Sequence, residues 1–223
     1  MSILVALSTI ADGSMYNRHD LADSTIISNR KTFLTRQGID SADSIRLAVD
    51  YQTTDFCRYR IVDQKNAGDG MFGGSAQPCD GLITTTPGLA LFLPIADCVG
   101  AVLYDPNHHV LMLIHLGRHS LEQQGAQNAV DFLETHFKSQ PTSLRVWLSP
   151  AAGKESYPIW ALDNKGLKEA TFEQLHRAGI GPSQITDDPA DTTTDERYFS
   201  YSEFIKGTRT EDGDHAIVAM LTN

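Results

Sequence analysis

The chain has 223 residues, enough for one large or two small domains that bury most of the surface of the unfolded chain. Its 18 Lys and Arg residues are scattered and outnumbered by 28 Asp and Glu, and this argues against an electrostatic nucleic-acid binder, which carries a basic stripe. Three cysteines without CxxC spacing are more typical of a reducing compartment than of a disulfide framework.

The N-terminal third predicts short strands and one helix. Residues 3–7 form an apolar run without the basic flank or the cleavage site of a signal peptide, so they indicate a first strand. Apolar residues recur at a helical period over 24–37, where the aliphatic stem of Arg30 fills one turn and Gly38 stands at the expected end. Strands are expected at 44–49 and 57–62, and a long glycine-rich loop at 63–80.

The rest of the chain begins with four predicted strands in quick succession, at 80–84, 88–93, 99–104 and 110–114. Ser120 with Gln123 has the form of a capping box that opens a helix to about Phe137. A strand at 144–148, a helix at 163–178 and strands at 197–201 and 216–221 complete the prediction. Grouped rather than alternating elements indicate the α+β class.

Cys98 and His115 flank a predicted hairpin. Two apolar runs are joined by the turn-forming cluster at 105–109. If the strands pair about the centre of that turn, Cys98 lies opposite His115 or one step from it, with Cβ atoms about 4.5–5.5 Å apart. A thiol and an imidazole at that separation can share a proton or a metal ion. The alternative is a buried structural cysteine beside a histidine at the rim of the sheet.

Titratable residues lie on both sides of the hairpin. Asp97 precedes Cys98, and Arg118 and His119 follow His115. The helix predicted from Ser120 would begin beside them, and its free N–H groups and positive dipole end favour an anionic substrate group or a thiolate.

Several motifs are similar to those of one known family. The strongest are DGLIT at 80–84, PGLAL at 87–91 and ADC at 96–98, followed by His115-Leu116-Gly117 at the spacing of the family's H-A-G. Further matches are LSPAAG at 148–153 with Tyr157, FSY at 199–201, and Asn29-Arg30. Over nearly the whole chain, the sequence resembles the YfiH family, also called the laccase-domain or polyphenol-oxidoreductase family.

The resemblance implies a single domain over 1–223 with a layered α/β/β/α fold and mixed sheets. It also implies a site in which one cysteine and two histidines bind zinc or copper. The implied activities are phosphorolysis and deamination of purine nucleosides such as adenosine or inosine, with oxidation of phenols also ascribed to the family. Related folds include toxins that act as Cys-His deamidases.

The chain departs from the family pattern at several of these positions. Thr54 stands where the family has its first metal-binding histidine, and Arg118-His119 replaces its Trp-Arg. Glu155-Ser156 replaces paired cysteines, and Ser202 replaces an arginine. A catalytic zinc usually has three protein ligands. Cys98 and His115 supply two, and the spacing does not select the third from the remaining candidates, which are His119, Asp97, Asp55 and Cys57.

Three functions follow. The first is a family-type metalloenzyme acting on a purine nucleoside and phosphate, with Cys98 and His115 as ligands and catalytic groups and Asp97 orienting them. Arg118, Thr54 and Tyr157 would then contact the substrate. The second is a metal-independent Cys-His hydrolase or deamidase, and the third is a non-catalytic member that binds a small molecule or a protein. We further expect a cytoplasmic monomer or homodimer that binds neither nucleic acid nor membrane.

Overall fold

The structure is a computed structural model that describes residues 1–222, so Asn223, the last residue of the predicted domain, lies outside it. The described chain contains two β-sheets and five α-helices. The strands in chain order are β1 Ser2–Leu7, β2 Ser44–Arg46, β3 Tyr59–Ile61, β4 Gly81–Thr84, β5 Ala90–Ile95, β6 Val99–Asp105, β7 Val110–Leu116, β8 Arg145–Leu148, β9 Ile185–Asp187 and β10 His215–Thr222. The helices are α1 Ser24–Arg36, α2 Arg118–Glu122, α3 Gly125–Phe137, α4 Leu167–Arg177 and α5 Tyr201–Ile205.

Both sheets are mixed. The smaller has the order β1-β10-β5-β2, with only β2 parallel to its neighbour. The larger has the order β3-β4-β7-β6-β8-β9; its four central strands are antiparallel, and both edge strands run parallel to their neighbours. The prediction of mixed sheets in the α+β class is confirmed.

The sheets pack face to face and carry helices on their outer sides. One apolar core lies between the sheets, a second joins α3 and α4 to the larger sheet, and a third joins α1 to the smaller one. Every residue of β6 and β7 is buried, because one face of these strands meets the other sheet and the opposite face meets helices. The predicted α/β/β/α layering is therefore confirmed.

The sheets approach each other closely at the start of β6. A Cβ added to Gly100 would lie 2.0 Å from Ile217 Cδ1 of β10, so only glycine leaves room for that side chain. This close contact fixes the segment immediately after Cys98 against the smaller sheet.

The helix predicted from a capping box at Ser120 is wrong in its start and its continuity. Gly117 is the N-cap, and Ser120 lies inside α2 with a buried hydroxyl that has no partner among residues 1–222. Gln124 adopts a left-handed conformation that separates α2 from α3. Gln123 takes no part in an N-terminal capping box but ends α2 as its C-cap, and its side chain accepts from the Phe56 N–H and donates to the Thr54 carbonyl.

Two further predictions need correction. The helix predicted over 163–178 begins at Leu167, because Asp163 and Asn164 have positive φ angles. The strand predicted over 197–201 is not formed. Instead Tyr201 begins the short helix α5, and the Ser200 hydroxyl accepts from the Glu203 N–H as its N-cap. No helix formed by residues 1–222 combines the length and hydropathy that crossing a bilayer requires.

His215, the first residue of β10, is buried without a hydrogen bond to either ring nitrogen from any described residue. Burial lowers its pKa from 6.5 to about 3. Between these values the folded chain binds fewer protons at this ring than the unfolded chain, so the free energy of unfolding falls as the pH drops through that window. Replacing His215 by leucine removes this dependence.

We expect His215→Leu to lose less stability than the unsubstituted protein between pH 7 and pH 4.5, measured by urea unfolding at both values. His176→Leu, at an exposed histidine of α4, serves as the control and should leave the difference unchanged. Equal losses in all three proteins would contradict the assignment of acid sensitivity to His215.

Candidate functional site

A cavity of about 520 Å³ opens at the end of the central hairpin of the larger sheet. Its walls come from the segment between β5 and β6, the end of β7 with α2, and α5. The lining residues are Tyr16, Arg18, Val49, Tyr51, Phe56, Ala96, Asp97, Cys98, His115, Gly117, Arg118, His119, Ser120, Tyr157, Tyr201, Ser202 and Ile205.

The predicted register of the hairpin is wrong. Gly100 pairs with His115, so Cys98 extends beyond the last ladder pair, Val99 with Leu116, toward Gly117. The register differs because Asp105 is still part of β6 and pairs with Val110, which confines the turn to residues 106–109. The Asp105 carboxylate accepts from the Asn107 N–H at 2.8 Å and holds the turn there.

Cys98 and His115 nevertheless border the same small space above Gly117. A Cβ placed on Gly117 would lie 2.9 Å from Cys98 Sγ, 2.7 Å from His115 Cε1 and 3.3 Å from His115 Nε2. The sulfur and Nε2 are therefore separated by at most the sum of 2.9 and 3.3 Å. The backbone N–H of His115 donates to the Asp80 carbonyl at 2.9 Å, which anchors this end of β7.

Burial sets the protonation states of this pair. It raises the pKa of the Cys98 thiol to about 12, and the carboxylates of Asp97 and Asp214 act in the same direction. The backbone N–H of Arg118, at the start of α2, favours the thiolate as predicted, but its effect is smaller than that of burial. Burial also lowers the pKa of His115 to about 4. At neutral pH the site holds a thiol and a neutral imidazole, which argues against a resting thiolate nucleophile.

A three-ligand metal site is not assembled. Among residues 1–222, no three His, Cys, Asp or Glu side chains are grouped closely enough to hold a metal ion. His119 instead stacks on Phe56 at 4.7 Å between ring centroids, and its Nδ1 lies 3.7 Å from a Glu122 carboxylate oxygen. Cys98 and His115 are suitable donors for zinc or copper, but two ligands do not fit the three-ligand site that the resemblance implies.

Asp97 joins segments of the chain that are distant in sequence. Its buried carboxylate accepts from Thr192 Oγ1 at 2.8 Å and from the Ser202 N–H of α5 at 2.7 Å. Both oxygens are thus occupied by groups other than His115. Asp97 lines the cavity and holds α5 in its wall, and the expected role of orienting a ligand is not seen in its contacts.

Two of the three residues expected to contact the substrate line the cavity, and the third does not. Arg118 and Tyr157 line the cavity. Thr54 does not line it but lies exposed on a surface loop, where its carbonyl accepts from Gln123 Nε2 at 2.8 Å. Arg118 lies 3.2 Å from His119 Nε2 and is close to Glu122, so it is partly engaged at the rim.

The sequence did not reveal Arg18 as part of the cavity wall. Its guanidinium donates to Asp212 at 3.0 Å and to Asp214 at 3.1 Å, and it lies 4.3 Å from the centroid of the Tyr201 ring. These partners are nearly 200 residues away, so local spacing carries no signal for the contact. Tyr201 itself lies in the FSY motif, which offered a hint of its place at the site.

Gly117→Ala should block the space between Cys98 and His115. The Gly117 backbone is extended and accepts alanine without strain, so the added methyl group acts on those two side chains alone. We expect weaker binding of any ligand that contacts both groups, by about tenfold or more, because at least one side chain must move out of its preferred rotamer. The measurement is ligand titration with a melting curve, and Gly74→Ala, at an exposed glycine with open space around it, shows the effect of an added methyl group elsewhere.

Comparisons with known proteins agree with this architecture. The hypothetical protein YfiH of Bacillus licheniformis superposes with a TM-score of 0.84 at 22% identity, covering 99% of this chain and 93% of that one. YlmD from Geobacillus stearothermophilus gives the same TM-score at 20% identity, with 99% and 92% covered. At these identities the likeness establishes the fold.

Sequence comparison finds relatives that bear a functional name. A purine nucleoside phosphorylase of Corynebacterium glutamicum is 28% identical over 152 residues, which are 58% of this chain and 59% of that protein. The match therefore spans about three fifths of the relative's length. The family model described as multi-copper polyphenol oxidoreductase laccase matches residues 15–164. Because that match covers well over half of the sequence, this chain belongs to the multi-copper polyphenol oxidoreductase laccase family, also named for YfiH.

Proposed function

We propose that this chain is a purine nucleoside phosphorylase that binds its substrate in the cavity at Cys98 and His115. The observation that carries the proposal is the placement of this pair in a cavity of about 520 Å³, a volume within the range of small-molecule sites. The similarity to a protein named purine nucleoside phosphorylase supports the choice of substrate.

The walls of the cavity suit a nucleoside. Tyr51, Tyr157 and Tyr201 offer ring faces for a purine base, and each also carries a hydroxyl group. Ile205 extends the apolar side of the opening. The polar groups lie at the inner end around Cys98 and His115, so the base would lie toward the aromatic rim and the ribose toward this pair.

The reaction exchanges one bond for another. The bond between ribose C1′ and the purine nitrogen breaks, a phosphate oxygen bonds to C1′, and the proton of hydrogen phosphate ends on the departing purine. The neutral imidazole of His115 can accept and release that proton, and the Cys98 thiol can donate a hydrogen bond beside it. No step is assigned to a metal, because residues 1–222 bring together two of the usual three ligands.

The proposal is tested with inosine and adenosine, each with and without phosphate, by chromatographic detection of free purine and ribose 1-phosphate. Purine release that requires phosphate supports phosphorolysis. Nucleoside binding without release of free purine would favour a non-catalytic binding protein instead. This alternative is supported by the replacement of a family histidine by Thr54 and by the lack of a third metal ligand among residues 1–222. Conversion of adenosine to inosine would indicate deamination, and oxygen-dependent oxidation of a phenol would indicate the oxidase activity that the family name suggests.

Metal content separates these alternatives further. With two ligands, we expect the protein purified without chelator to carry well below one zinc or copper ion per chain by elemental mass spectrometry. Cys98→Ala is the comparison, since it removes one of the two donors. About one ion per chain, lost in Cys98→Ala, would contradict the expectation and would mean that another group completes the site.

A further inference from the structure

A smaller chamber of about 100 Å³ adjoins the main cavity behind His115. Tyr16, Arg18 and His115 line both spaces, whereas Arg46 and Asp214 line the chamber alone. One water molecule requires only about 10–15 Å³ of such space. The chamber is therefore large enough for several waters or for one small tetrahedral oxyanion.

The side of the fold next to this chamber holds two buried arginines without acidic partners. Arg46 Nε donates to the Gly70 carbonyl at 2.7 Å, and Arg30 donates to the carbonyls of Met15, Gly70 and Met71. Neither forms an ion pair with any carboxylate among residues 1–222. Both are at least 96% buried by surface area. Asp69 acts on Arg46 and Asp214 acts on Arg30 only from a distance, and burial still lowers the pKa of both arginines. A buried charge without a directly paired counter-charge is costly, so an anion entering this region would be stabilised.

Arg46 is the member of this pair that reaches the chamber. Its guanidinium lies 5.3 Å from the centroid of the Tyr16 ring, and the same ring lines both spaces. Arg18 contributes a second guanidinium from the loop before α1, where Asp212 and Asp214 hold it in place. Arg46 and Arg18 thus place two guanidinium groups on the lining of one small volume, and guanidinium groups are well suited to bind phosphate oxygens.

We infer that this chamber binds inorganic phosphate through Arg46 and Arg18, next to the nucleoside cavity. The inference rests on the proposed function, since it identifies the subsite of the second substrate. The chamber borders His115, so a phosphate held there would face the inner end of the cavity where the ribose is expected. The expectation that Arg118 binds the anion is thereby replaced: Arg118 lies exposed at the rim beside His119 and Glu122.

Among residues 1–222, Asp214 is the one carboxyl group that lines the chamber. Arg18 pairs with it, and this contact offsets its charge. Burial also raises the pKa of Asp214 to about 7, so near neutral pH a share of the molecules carry a protonated carboxyl that can donate to a phosphate oxygen. In this protonated form, Asp214 does not repel the anion.

The test is binding of inorganic phosphate to the full chain by calorimetry, without nucleoside. We expect Arg46→Met and Arg18→Met each to weaken phosphate binding by about tenfold or more, and Arg46→Lys to weaken it less because the charge is kept. Arg36→Met, at an exposed position of α1, is the matched control and should leave binding unchanged. Melting curves show whether each variant is folded. If Arg46→Met does not fold, the comparison of Arg46→Lys and Arg18→Met with the unsubstituted protein still tests the chamber.

The outcomes separate this inference from the proposed function. Phosphate binding that depends on Arg46 and Arg18 supports the chamber even if no purine is released. No binding by the unsubstituted protein, or binding that depends on Arg118 and not on Arg46, would overturn it. Phosphate-dependent purine release that is indifferent to both chamber arginines would overturn the chamber but leave the phosphorylase function in place.

Discussion

Replacing His115 by glutamine should lower kcat/KM for phosphorolysis of a purine nucleoside by about 100-fold or more, the usual effect of losing a positioned acid–base group. Glutamine keeps a hydrogen-bonding group at the end of β7 but does not accept and release a proton. The neighbouring groups do not take over this role: the Cys98 pKa is raised to about 12, and both oxygens of Asp97 are engaged by Thr192 and Ser202.

The measurement is steady-state kinetics with separate titration of nucleoside and phosphate. A fall in kcat with little change in KM identifies a role in the chemical step, whereas a rise in KM alone identifies a binding role. His136→Gln, at an exposed position of α3, is the control for a histidine-to-glutamine change away from the cavity. Equal kinetics for His115→Gln and the unsubstituted protein would contradict the catalytic role.

The parts of the fold that depend on local patterns are predicted well from the sequence. Apolar spacing and a following glycine predict the helix α1. The continuous apolar runs of β6 and β7 predict two strands, and both strands are buried on both faces. The hairpin register is different, because it depends on where the turn begins. Asp105 looks like a turn residue in sequence, yet its backbone completes the ladder while its carboxylate caps the turn.

The helix α5 shows how two local signals compete. The sequence Ser200-Tyr201-Ser202-Glu203 has the S-x-x-E form of a capping box, which favours a helix start. The aromatic residues around it favour a strand and gave the wrong prediction. Tertiary contact decides the outcome, since the buried carboxylate of Asp97 accepts from the first turn of α5.

Only part of the candidate site can be predicted from the sequence. Cys98 and His115 lie at the ends of one hairpin, so their proximity follows from local topology. Arg18 and Arg46 lie on separate segments, and a buried arginine looks like a surface arginine when only its neighbours in sequence are known. Their convergence follows from the packing of the loop before α1 against β2 and the residue that precedes β10, to which a single sequence gives no direct guide.

Arg30→Met should destabilise the protein by about 2 kcal/mol or more, the largest effect on stability that we expect from a single polar side chain here. The Arg30 guanidinium ties α1 to two distant segments through the carbonyls of Met15, Gly70 and Met71. Methionine replaces the aliphatic stem but leaves the carbonyls of Met15 and Met71 without this donor; Gly70 keeps the donor from Arg46. Part of the loss is offset because burial disfavours the charge on Arg30 and lowers its pKa to about 10.

Arg36→Met on the same helix is the matched control for this change. Its side chain is 56% exposed and pairs with Asp12 at the surface, so its loss should cost less than about 1 kcal/mol. Urea unfolding at neutral pH measures both variants, and the difference between them isolates the buried hydrogen bonds from the shared loss of one positive charge. If the two variants are equally stable, the Arg30 contacts contribute nothing net. Arg30 donates to the carbonyls of Met15 and Gly70, which lie next to the chamber residues Tyr16 and Arg46. Loss of these hydrogen bonds in Arg30→Met should therefore also weaken phosphate binding in the chamber, while Arg36→Met leaves that binding unchanged.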